Sequence, residues 1–174
     1  PRRRLEAEAI RDTMLAVSGK LDLTMGGPSV RWFGFVDDHS PHYSYEEFEP
    51  DSHGAWRRSI YRHIVRSVPD PFFEALDCAD ASILTPTRYT TLTPLQALAM
   101  SNDRFVIRQA EHFASRLSSA ATTTPEQVQH AFQLALGRTP TPSEARIMVA
   151  HAQQHGLPSL CRMIFNLNEF LFID

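Results

Sequence analysis

The densest set of groups able to do chemistry lies between positions 32 and 53. Asp37, Asp38, His39 and His42, with His53 further on, offer the nitrogen and oxygen donors that a divalent cation takes. His39 and His42 are weak metal candidates, because such spacing arises readily in a loop and no cysteine or supporting shell accompanies it; no metal is expected. Trp32, Phe33, Phe35, Tyr43, Tyr45 and Phe48 are interleaved with the carboxylates. Rings of this kind stack on a sugar face while Asp37 and Asp38 accept its hydroxyl protons, which makes the stretch from Trp32 to Tyr45 the candidate contact surface. The competing reading is that the rings close the core, since leaving them all exposed would create an unusually large apolar patch.

A second constellation is polar. Arg58, Tyr61, Asp77 and Arg88 are candidate organisers, with an Arg58–Asp77 or Arg88–Asp77 pair tying the middle of the chain to the segment that follows; Asn168 is placed on an apolar face, bonded to nearby backbone. Other chemistries find less footing. Ser29, Ser40, Ser44 and Ser52 sit among histidines and carboxylates, but there is no Gly-x-Ser-x-Gly elbow. The acidic stretch from Asp37 to Asp51 supplies carboxylates for glycoside hydrolysis, and nothing selects a pair. His151 and His155 lie one helical turn apart without the glutamate of a His-Glu-x-x-His site. Cys78 and Cys161 belong to no Cys-x-x-Cys pair, so burial as small apolar side chains is expected ahead of a disulfide.

The elements that must hold these groups read as helices. With 174 residues, 43% of them hydrophobic, the chain can bury a core, and its 17 basic and 20 acidic residues give a charge of −3, which argues against a nucleic-acid partner. No apolar run approaches the ~18 residues of a membrane span. Arg57, Arg58, Arg62 and Arg66 follow the acidic stretch and are expected to neutralise it in part. Helical spacing predicts a helix over 4–17, with Arg4 and Glu8 on its wet side and Ser18-Gly19 as its stop. It predicts another from Ala55, carrying Trp56, Ile60, Tyr61, Ile64 and Val65 on one face and ending before Pro69. Between them, residues 20–54 form a long irregular aromatic-rich loop draped over the core, with a short strand or hairpin near Val30 to Val36. A short helical turn over 72–76 and an extended, threonine-rich passage over 83–92 come next.

Thr93-Pro94-Leu95-Gln96, Thr124-Pro125-Glu126-Gln127 and Thr141-Pro142-Ser143-Glu144 each place a threonine cap before a proline at the first helical position. They predict helices over 94–100, 125–136 and 142–155, the last two stopped by Gly137 and Gly156. Asn102 or Asp103 caps a further helix through Leu117. It poses as the second half of a helix-turn-helix, basic at Arg104, Arg108 and Arg116 but poor in base-reading side chains. A final helix spans 159–172. The expected fold is mainly α: one compact bundle of about six helices over 1–174, with the loop wrapped around it.

Several phrases are more specific than amphipathic periodicity requires. Arg4-Leu5-Glu6-Ala7-Glu8-Ala9-Ile10-Arg11-Asp12, Met25-Gly26-Gly27-Pro28, Arg57-Arg58-Ser59-Ile60-Tyr61, Thr93-Pro94-Leu95-Gln96-Ala97-Leu98 and Asn166-Leu167-Asn168-Glu169-Phe170-Leu171 stand in that order. Together with Phe73 to Asp77, Gly137-Arg138 and Phe172-Ile173-Asp174, they resemble the C-terminal part of the planctomycete-type secreted domain of unknown function, domain-of-unknown-function family 1553. The resemblance implies a C-terminal fragment of a large extracytoplasmic multidomain protein. In that family the region often follows a cytochrome c module, so haem is expected only in another domain and no cofactor in this chain. The reading that follows is a non-catalytic structural or interaction module whose partners are other domains of its parent. The alternatives are a carbohydrate-binding or carbohydrate-active domain that takes polysaccharide on the 20–54 loop, and a docking module for the cytochrome c domain.

Overall fold

A computed structural model describes residues 2–173. In chain order the elements are β1 (Arg3–Arg4), α1 (Ala7–Ser18), β2 (Gly34–Val36), β3 (His42–Ser44), α2 (Pro71–Ala75), α3 (Pro94–Asn102), α4 (Arg104–Ala120), α5 (Thr124–Leu136), α6 (Pro142–His155), α7 (Leu157–Phe165), α8 (Asn168–Leu171) and β4 (Phe172–Ile173). The fold is mainly helical, as expected, and the strands among the described residues form two small antiparallel pairs, β1 with β4 and β2 with β3.

Helix α4 is the axis of the packing, lying against α1, α3, α5 and α7. Its sequence explains this role. Phe105, Val106, Gln109, Ala110, Phe113 and Leu117 recur at three- and four-residue steps and are all buried. Phe113 stacks on Phe165 of α7, centroids 5.7 Å apart, and Ile10, Met14 and Leu15 of α1 complete the inner layer with no exposed surface. Each large side chain removed from water in this way stabilises the fold by about 1.5–3 kcal/mol. Gln109 is the polar exception, and its Oε1 accepts a hydrogen bond from the Ser18 hydroxyl at 2.7 Å.

The helix ends follow local chemistry. Thr93 and Thr141 cap α3 and α6 within capping boxes, and Gly19 and Gly137 stop α1 and α5 at φ 78 and 70. Asp103 caps α4, and Asp70 caps α2 by accepting from the N–H groups of Phe72 and Phe73. For α5 the cap is Thr123 rather than Thr124. Glu126 reaches the Thr123 N–H and hydroxyl, and this reciprocal geometry requires the acid three residues after the cap, so it outweighs the preference of Pro125 for the first helical position.

Three expectations fail for reasons of tertiary structure. The helix expected from Ala55 is absent; His53–Trp56 and Ser59–Tyr61 are single 3-10 turns. The backbone there pairs outward instead: the Trp56 carbonyl accepts from Asp22, the Tyr61 carbonyl accepts from Val30, and the His63 N–H donates to the Val30 carbonyl. Ile60 and Ile64 consequently stand 76% and 53% exposed. At the start of the chain, Arg4 lies in β1, with its side chain buried rather than on a wet helix face. The closing helix is broken at Asn166–Leu167, where the Asn166 amide donates to the Ala97 carbonyl and the Ser101 hydroxyl; α8 follows, and then β4 pairs Ile173 with Arg3.

Candidate functional site

The aromatic excursion is fastened from beneath by Arg11. Its guanidinium lies between Trp32, 3.5 Å from the ring centroid, and Phe105, at 4.6 Å, and donates to the carbonyls of Ala55 and Arg57. Burial pulls this group down to about 9, and nearby Asp12 and Asp70 partly oppose the shift. Trp32 has its opposite side against Phe73, centroids 6.0 Å apart, and its indole N–H donates to the Gly54 carbonyl. Both ring faces are therefore occupied. Phe33 is buried among Tyr43, Tyr45 and His63, and the Tyr45 hydroxyl donates to the Val68 carbonyl.

Phe35 is 37% exposed and lies on Tyr43 across the β2–β3 hairpin, where the two are paired. Asp37, Asp38 and His39 occupy the exposed hairpin loop, and exposed His42 opposes Val36. The structure thus separates the groups that the sequence set side by side: Trp32 and Phe33 turn inward and the carboxylates outward. Among the described residues, no three His, Cys, Asp or Glu side chains are grouped so that they could hold a metal ion. The acidic stretch finds its partners on α4, with Asp51 bridging Arg108 and His112 at 2.6 Å each, rather than on Arg57 to Arg66. Arg104 and Arg116 of the same helix donate to the carbonyls of Glu46 and of Ala16 and Val17.

The polar organisers are distributed differently from the pairs expected. Asp77 meets neither Arg58 nor Arg88; its partner is Arg4, at 2.7 Å. Asp77 Oδ2 also accepts from the Thr91 N–H at 2.6 Å and from the Gln96 amide at 3.1 Å, and the Thr91 hydroxyl donates to the same carboxylate. Burial raises the Asp77 carboxyl, but the Thr91 and Arg4 bonds outweigh it and hold the group below its ordinary value. Its backbone adopts φ 58, in the left-handed region that aspartate tolerates better than most residues. Arg4 makes two further bonds, to the Thr91 and Leu76 carbonyls. One carboxylate thereby joins β1, the end of α2 and the start of α3.

Arg58 pairs with Asp12 at 3.5 Å, and Arg88 grips Glu8 through two nitrogens and also reaches Glu6. The Tyr61 hydroxyl accepts from the Gly26 N–H beneath Arg57, which lies 3.8 Å above the ring. Asn168 is exposed; the amide that bonds to backbone is Asn166, two residues earlier. No sequence signal marked Arg4 or Arg11 as the buried cations, because each falls at a spacing that also suits a solvated helix face. Cys161 is buried and Cys78 half-buried, and both are free thiols.

A surface not anticipated as a site lies on the opposite flank of the Asp77 knot. Leu84, Tyr89, Leu92, Leu95 and Leu98 are 97%, 80%, 78%, 63% and 57% exposed, and Arg88, already paired, is the only charged residue between Ile83 and Leu98. Beside them a cleft of about 420 Å³ opens between α3 and α8, floored by Ile10, Leu76, Met100 and Leu171. Among the described residues, its polar lining carries no carboxylate and Arg4 is its one charged side chain.

No curated protein and no solved structure matches the chain. A family model described as PSD1, protein of unknown function (DUF1553), matches residues 1–152, which covers the Arg11 clasp, the Asp77 knot and the exposed apolar stretch. The chain belongs to that family.

Proposed function

We propose that the chain is a non-catalytic interaction module of an extracytoplasmic multidomain protein, and that another domain of the parent packs on the apolar face from Leu84 to Leu98. The carrying observation is the exposure of Leu84, Leu92, Leu95 and Leu98 within one segment that has no unpaired charge. Scattered single apolar residues are normal on a protein surface, whereas a contiguous group marks a place where another body covers it. Leu95 and Leu98 lie three residues apart on α3 and share a face, and the neighbouring cleft adds depth to the surface. The extracytoplasmic setting rests on the resemblance of the ordered phrases to the secreted-type family.

The state of the buried carboxylates supports a role without chemistry. Asp70 and Asp103 are raised by burial, a property that often marks general acids, yet in each Oδ1 is engaged by N–H groups of the helix it caps. The test is oxidative side-chain footprinting of the intact parent and of this chain alone. Leu92, Leu95 and Leu98 become protected in the parent, and Leu95→Lys with Leu98→Lys abolishes the protection of Leu92 while leaving the chain's own stability within about 0.5 kcal/mol. Equal labelling of the three leucines in both settings refutes the proposal.

A further inference from the structure

A second cleft of about 420 Å³ opens between the segment carrying Arg62 and the loop after α2. Arg62 is held in an unusual way. Its main chain is fixed on both sides by Val30, and its guanidinium lies flat on Phe73, 3.7 Å from the ring centroid. Yet among the described residues the side chain makes no hydrogen bond to an oxygen. Nη2 donates only to the Cys78 thiol at 3.6 Å, and Nε is buried without a partner. A half-buried guanidinium, oriented by stacking and without an ion-pair partner among the described residues, suits planar carboxylate recognition.

The neighbouring charges define which anion fits. Arg88 is committed to Glu8 and Glu6, and Arg66 donates to the carbonyls of Ala81 and Ser82, so neither offers a second free cation. Asp70 acts electrostatically on Arg62 but forms no ion pair with it, and Glu74 and Asp80 stand at the rim, where they repel multiply charged ligands. The rest of the lining combines apolar residues, including Phe73, Ile64 and Ile83, with Tyr45, Thr85 and the Glu8 carboxylate, which Arg88 neutralises and which accepts from the Cys78 thiol at 3.5 Å. The volume falls in the range of small-molecule sites. We infer that this cleft binds a small monocarboxylate with an apolar body, the carboxylate meeting Arg62 beside the Cys78 thiol and the body lying along Ile64 and Ile83.

The two cysteines supply the assay. Cys78 is half-buried on the cleft wall and Cys161 is fully buried, so an aromatic disulfide reagent labels Cys78 alone in the folded chain. The probe is benzoate, with benzamide as its uncharged isostere. At a benzoate concentration about ten times its dissociation constant, Cys78 labelling slows roughly tenfold, while benzamide at the same concentration leaves the rate unchanged. Arg62→Met weakens benzoate protection by about tenfold or more, and Arg62→Lys, which keeps the charge but not the planar fork, weakens it less.

Continued silence of Cys161 verifies that each variant remains folded. Leu95→Lys with Leu98→Lys leaves protection intact, which separates this site from the docking face. Absence of protection by benzoate, cyclohexanecarboxylate and hexanoate alike overturns the inference. Equal protection of wild type and a folded Arg62→Met or Arg62→Lys variant overturns it as well.

Discussion

Replacing Asp77 separates the charge at the centre of the knot from the backbone that presents it. Asp77→Ala removes the carboxylate that accepts from Arg4, Thr91 and Gln96, leaving Arg4, whose side chain is 5% exposed, without its counter-charge. Breaking a buried ion pair costs about 3–5 kcal/mol. The lower end applies here, because the Thr91 and Leu76 carbonyls still receive Arg4. Alanine also suffers at φ 58, by about 1 kcal/mol relative to glycine. The expected losses are therefore about 4 kcal/mol for Asp77→Ala and about 3 kcal/mol for Asp77→Gly. Asp77→Asn, which tolerates the backbone and retains one acceptor, loses about 2 kcal/mol. Urea unfolding followed by tryptophan fluorescence reads all three, and for a chain of this size 3 kcal/mol lowers Tm by roughly 10 °C.

The pH profile adds a second reading of the same variants. The folded carboxyl lies below its ordinary value of 3.8, so its contribution is complete above that pH and is lost as pH falls through the lower folded value. The gap between wild type and Asp77→Asn should accordingly close with acidification. A glycine variant less stable than the alanine variant, or a gap that widens in acid, would refute the reasoning.

Two further perturbations probe the fastening of the aromatic excursion. Arg11→Met leaves the Ala55 and Arg57 carbonyls without donors while removing a costly buried charge; the expected net loss is about 2–4 kcal/mol, with a red shift of Trp32 emission measured in a Trp56→Phe background. A Cβ on Gly54 would come within 2.3 Å of Val30 Cγ1, so Gly54→Ala should cost about 1–3 kcal/mol in denaturant unfolding, and Val30→Ala in the same chain should recover part of that loss.

The helical body was legible because its signals are local. Thr93 with Gln96 and Thr141 with Glu144 satisfy orphan N–H groups within a few residues, and Gly19 and Gly137 adopt the left-handed conformation that the sequence pattern anticipates. Legibility failed where backbone groups bond to distant partners. The apolar period from Trp56 to Val65 is real, but Asp22 and Val30 take the hydrogen bonds a helix would need, and no window around Ile60 contains that information. Of the excursion, its draping over the core and a hairpin were foreseeable, but not which rings turn inward, since that depends on Arg11 and Phe73 lying to either side of Trp32. The exposed apolar segment escaped notice for a related reason: Leu92, Leu95 and Leu98 suit the interior of a helical protein, and only the packing reveals them outside it.

The pairing of Arg3–Arg4 with Phe172–Ile173 also orders events during synthesis. Contacts this distant along the chain form late, after helices such as α4 to α7 have condensed from near neighbours. A ribosome still holding Ile173 in its exit tunnel therefore leaves the first strand without its mate, and this seam closes only once that segment has emerged.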